Sequence, residues 1–89
     1  MQQSFESVSL SGELDIYALP DVERAFASLA GSHVRIDLHG ARCVSSAFFG
    51  ALVRLRGRLP DSRIEIHGAN PNVRRTFSVV GAQALVALT

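Results

Sequence analysis

The side chains of this 89-residue chain with the clearest chemical potential are two adjacent hydroxyls, Ser45 and Ser46. They follow the alternating run Val34-Arg35-Ile36-Asp37-Leu38-His39 and precede the apolar-periodic run Ala47-Phe48-Phe49-Gly50-Ala51-Leu52-Val53. This is where a strand should turn into a helix. A serine there can accept a hydrogen bond from a first-turn N–H that lacks an intrahelical partner. The same N–H groups and the helix macrodipole also favour negative charge. The serine is therefore either a cap or a switch. The flanking glycines of a nucleophile elbow are missing, so it is not read as a catalytic nucleophile.

Other reactive residues are scattered. His33, His39 and His67 lie at or near strand ends without the i, i+4 spacing of a helical metal pair, and are read as surface or edge histidines. Cys43 is the only cysteine, which rules out an intrachain disulfide. Beside Val44, with no lysine or histidine next to it, it reads as a small buried hydrophobe. Neither GxGxxG nor GxxxxGK[ST] occurs. The expectation is a non-enzyme with no catalytic residue, metal or cofactor, acting through a surface. Sites in open α/β sheets lie beyond the carboxyl ends of the parallel strands. Asp15, Tyr17, Ser45, Ser46, Ala47, Phe48 and Ala51 could share such an edge and touch a partner. Phe48 is read either as core or, if exposed, as an apolar anchor.

Composition narrows the class. Hydrophobic residues make up 47% of the chain and charged residues 19%, which is globular rather than disordered. Net charge is +1 and every basic residue is an arginine. Arg54, Arg56 and Arg58 form a short basic patch, but acidic residues are spread throughout, unlike the one-sided positive face of a nucleic-acid binder. No apolar run approaches the roughly 20 residues that cross a bilayer, so no membrane insertion is expected. The start, Met1-Gln2-Gln3-Ser4-Phe5-Glu6, lacks a basic n-region and a long apolar stretch. A cytoplasmic protein with one domain over residues 1–89 is the expectation.

These residues must be held by alternating strands and helices. Phe5 to Leu10 reads as a strand broken by Ser11-Gly12-Glu13, with an ordered loop over Leu14–Leu19. Being near the terminus, that strand is expected at a sheet edge with little to protect it. Pro20 opens a helix whose buried face is Val22, Ala25, Phe26 and Leu29, stopped by Gly31. Val34, Ile36 and Leu38 mark the next strand. Phe49, Leu52, Val53 and Leu59 stripe the second helix, with Phe48, Ala51 and Leu55 beside them, and Pro60 ends it. Arg63 to His67 alternates as a strand. Asn70-Pro71 opens a third helix with Val73, Phe77 and Val80 buried and Gly81 as its stop. Ala84 to Leu88 reads as the last strand. Strands joined by helical crossovers predict an α/β fold with a largely parallel or mixed sheet.

Three segments resemble the STAS domain, the fold of bacterial anti-sigma-factor antagonists. Leu10-Ser11-Gly12-Glu13-Leu14-Asp15 is similar to the family's L-[ST]-G-E-L-D opening. Val34–Leu38 with Cys43–Leu52 resembles its strand and D-S-[ST]-G-L helix start, and Asn70 to Gly81 its S-P-x-V-x-R-x-[FL]-x-x-x-G-L helix. The resemblance implies a STAS-like α/β fold, a mixed sheet of four to five strands with about three helices packed against it. It also implies a transcription regulator whose partner is an anti-sigma factor and serine kinase, and it places the phosphoacceptor at Ser46. Around that hydroxyl Ser45 replaces the family's aspartate, Ala47 the second Ser/Thr and Phe48 the glycine. A small STAS subunit of a lipid-transport ABC ATPase is the alternative the family offers.

Overall fold

In the computed structural model, residues 5–89 are described. The terminal residues Met1 to Ser4, on which the reading of the leader partly rests, lie outside them. The elements run β1 (Phe5–Leu14), a 3-10 turn (Ile16–Ala18), α1 (Leu19–Ala27), β2 (His33–Val44), α2 (Ser46–Arg58), β3 (Arg63–His67), α3 (Pro71–Val80), a second 3-10 turn (Ala82–Ala84) and β4 (Ala87–Leu88). The four strands lie in the order β1-β2-β3-β4, each parallel to its neighbour. The strand count is the lower of the expected four to five, and no antiparallel pair occurs among the described residues. The reason is connectivity: each successive pair is joined through a helix, and a crossover returns the chain in the same direction.

Right-handed crossovers that always step the same way put α1, α2 and α3 on one face of the sheet. That face holds the core. Val34, Ile36 and Leu38 of β2 and Ile64 and Ile66 of β3 are fully buried there, against Val22, Phe26, Leu52, Leu55, Val73 and Phe77 from the helices. Phe48 touches Phe26, Phe49 and Phe77 edge-on, at centroid separations of 6.2, 5.7 and 6.3 Å. These are favourable offset geometries, and they join all three helices through one ring.

Several boundaries differ from the sequence reading. β1 does not stop at Leu10 but pairs on to Leu14. The pairing slips between Ser9 and Ser11 and between Gly12 and Glu13, and each time β2 carries the extra residue, so β1 itself runs on. Gly40 makes the first slip possible, because a Cβ there would stand 2.9 Å from the Ser11 Cβ. Val53 and Val80, both expected in the core, are exposed: Val53 lies just outside the arc α2 turns to the sheet, and Val80 is the last residue of α3. The last strand is only Ala87–Leu88, because Ala84 is taken up by the preceding 3-10 turn. α3 begins and ends as expected: Asn70 accepts from the Val73 N–H at 2.8 Å, and Gly81 closes the helix at a left-handed φ of 74°.

The arginines of the second helix are tertiary ties, not a free basic patch. Arg56 donates to the carbonyls of Leu59, Ser62 and Leu85, fastening the end of α2 to the segment before β4. Arg58 reaches the carbonyl of Phe26, and Arg54 pairs with Glu23 on α1.

Candidate functional site

The carboxyl ends of β1 and β2 are locked together where both chains leave the sheet. Leu14 pairs with Val44, and the Ser45 N–H donates to the Leu14 carbonyl at 3.0 Å. The loop after β1 and the first turn of α2 therefore leave the sheet side by side. Asp15 organises that loop, accepting from the N–H groups of Tyr17 (3.0 Å) and Ala18 (3.2 Å) in an Asx turn. With its carboxylate turned back on its own backbone, the loop projects Ile16 and Tyr17 outward. Tyr17 is 89% exposed and Ile16 60%.

Ser45 is the N-cap of α2 and Ser46 its first helical residue. The Ser45 side chain makes no capping bond; its Oγ is buried and has no hydrogen-bond partner among the described residues. Its carbonyl accepts from the N–H groups of Phe48 and Phe49 instead. Ser46, in the first turn, is exposed. No acidic side chain occupies that turn, so the positive end of the helix is not offset by its own residues. Ser45 thus holds the cap position without a side-chain capping bond, and Ser46 is the more accessible of the two.

The expected contact residues do not all reach this surface. Asp15 and Ser45 are half-buried, Tyr17 and Ser46 exposed, and Ala47 half-buried. Phe48 and Ala51 are corrections: at 1% and 3% exposure they belong to the core, because the helix turns positions 48, 51, 52 and 55 toward the sheet. The sequence does not single out Ile16, because an ordered loop over Leu14–Leu19 leaves open which of its apolar residues faces outward. The signal it did contain is Asp15 itself, whose carboxylate can bond the backbone two and three residues on. Beyond capping α3, the Asn70 amide donates to the carbonyls of Ala41 and Arg42, tying the start of α3 to the same end of β2.

A second polar cluster lies on the sheet face away from the helices. Glu65, 7% exposed, receives Arg63 and His67 from its own strand, the latter at 2.7 Å, and lies 2.9 Å from His33 of β2. The Arg63 hydrogen bond foremost, then that of His67, hold its carboxyl at about 2, below the ordinary 4.5, against the opposing effect of burial. His33 and His67 are half-buried partners of this carboxylate and not free edge histidines. No group of three or more His, Cys, Asp or Glu among the described residues is placed to hold a metal. No helix among them is long and apolar enough to cross a membrane.

A family model described as "Mlab, STAS domain" matches residues 1–87. Comparison with curated proteins finds no match.

Proposed function

Since this chain belongs to the STAS-domain family, whose members are in general regulatory or interaction modules, we propose that it is an anti-sigma-factor antagonist switched at Ser46. The observation carrying this reading is the exposed Ser46 hydroxyl at the uncompensated start of α2, beside the projecting Ile16 and Tyr17. The unmodified surface binds an anti-sigma factor that is also a serine kinase, with Tyr17 and Ile16 as its apolar anchors. Phosphate on Ser46 adds about −1.5 to −2 charges, which the helix dipole tolerates and the docked partner does not. The fold survives and the complex dissociates. Loss of contacts worth about 1.4 kcal/mol weakens it tenfold. The side chain of Phe48, turned into the core, leaves the acceptor uncrowded.

Incubation with candidate anti-sigma kinases and ATP, followed by intact-mass measurement, tests the switch. One phosphate should be added to the protein and none to Ser46→Ala. No added mass, or an addition that persists in Ser46→Ala, removes Ser46 from this role.

A second reading is favoured by the replacements at Ser45, Ala47 and Phe48 and by a family description that names Mlab. In it, the same surface is a constitutive contact of an accessory subunit with a lipid-transport ABC ATPase. Co-purification with an ATPase that withstands Ser46→Ala and is lost in Tyr17→Ala would select this reading.

A further inference from the structure

The outer edge of β1 pairs with no other strand among the described residues. It is long, and it lacks the features that keep sheet edges apart. Between Phe5 and Ser11 there is no lysine, arginine or proline. The register slips that accompany β1 place their extra residues on β2 and leave β1 without a bulge of its own. The one charge, Glu6, is already engaged, accepting from the N–H groups of Ala30 at 2.7 Å and of Gly31. Ser7 and Ser9 are exposed on the face away from the helices, and Val8 is only half-buried on the helical side. An edge whose single charge is engaged and which carries no bulge of its own is a template for another strand.

We propose that the strand it takes is β1 of a second copy, paired antiparallel about a two-fold axis at Val8. Val8 is the midpoint of the stretch Phe5–Ser11. Centring there sets Ser7 opposite Ser9 of the second copy, Glu6 opposite Leu10, Phe5 opposite Ser11, and Val8 opposite its own equivalent. No like charges meet, hydroxyls face hydroxyls, and the half-buried valines share the covered side, which is the self-complementarity an isologous contact demands. α1 leaves room for it. Glu23 bonds across to Arg54 on one flank of that helix. Helical geometry then turns Asp21, Ala25 and Ser28 to the other flank, toward the β1 edge. In antiparallel apposition Asp21 meets Ser28, and Ala25 meets Ala25, so the two helices approach without bulk or charge conflict. The product is one eight-stranded sheet with its helices on a single face. Its seam runs along Phe5–Ser11 of β1, before the loop that carries Ile16 and Tyr17.

Sedimentation equilibrium of the wild-type chain should give twice the chain mass. Ser7→Lys/Ser9→Lys sets lysine opposite lysine across the seam and should weaken association at least tenfold, with an unchanged far-UV circular dichroism spectrum. Ser7→Lys/Ser9→Glu sets lysine opposite glutamate and should restore the dimer. A monomeric wild type at high concentration would overturn the proposal. So would a dimer indifferent to the double lysine change, or a Lys/Glu variant that stays monomeric.

Discussion

Single side chains at the helix tip divide cleanly between display and support. Tyr17 and Ser46 project from the surface without being needed beneath it. Tyr17→Ala and Ser46→Ala should therefore each shift stability by no more than about 0.5 kcal/mol. On the proposed reading Tyr17→Ala should also weaken partner binding by about 1 kcal/mol or more. Thermal melts beside a titration with the partner measure both. Glu65 works in the opposite way, since it is covered and locked by Arg63, His67 and His33. Its folded carboxyl titrates at about 2, below its ordinary 4.5. A depressed carboxyl contributes stability that is fully present above the unfolded value and lost as pH falls through the folded one. Wild-type stability should accordingly drop between pH 4.5 and 2, and Glu65→Gln, less stable at neutral pH, should show a shallower drop there. Denaturant midpoints across that window provide the check.

The elements are joined by a few cross-links of high sequence separation, and Arg56 is the clearest. One guanidinium serves the carbonyls of Leu59, Ser62 and Leu85, thereby capping α2 and holding the segment that leads into the short β4. Charge-assisted bonds of this kind are worth about 1.5–3 kcal/mol each when a partner is left buried. Arg56→Ala should cost about 2–3 kcal/mol in chemical denaturation. Arg56→Lys should rescue little, because a single ammonium cannot span carbonyls on both sides of a planar fork. Amide exchange should quicken first at Ala87 and Leu88, whose two-residue strand has little else to hold it.

At the scale of the molecule, one aromatic ring holds three helices to one sheet. Phe48 is 1% exposed and meets Phe26 of α1, Phe49 of its own helix and Phe77 of α3. Deleting a buried phenyl ring costs about 3–5 kcal/mol. Domains of this size have total stabilities of only about 5–15 kcal/mol. Phe48→Ala should thus leave a marginal fold, visible as a lowered melting temperature and an early denaturant midpoint. Were Phe48 instead a partner anchor, the same change would spare stability and affect binding alone, so the two measurements discriminate its role.

Local chemistry was sufficient to determine much of this protein. Pro20, Asn70-Pro71 and Gly81 set helix ends through φ limits and side-chain bonds that depend on no distant residue. The alternation in Val34–Leu38 and Arg63–His67 selected the buried face of two strands, because a strand's side chains alternate whatever lies beyond them. The motifs at Leu10–Asp15 and Asn70–Gly81 carry the resemblance to the STAS family, which the family match over residues 1–87 bears out. Only the tertiary structure decided which hydroxyl of Ser45-Ser46 is displayed, that Phe48 turns inward, and that Val53 and Val80 turn outward. A helix that is apolar around much of its circumference, as α2 is, has no preferred face until its neighbours choose one, and Val80 turns outward because α3 ends at it. Glu65, His33 and Arg56 belong with these, since their partners come from different strands and loops, and a charge in a sequence does not say what it will meet.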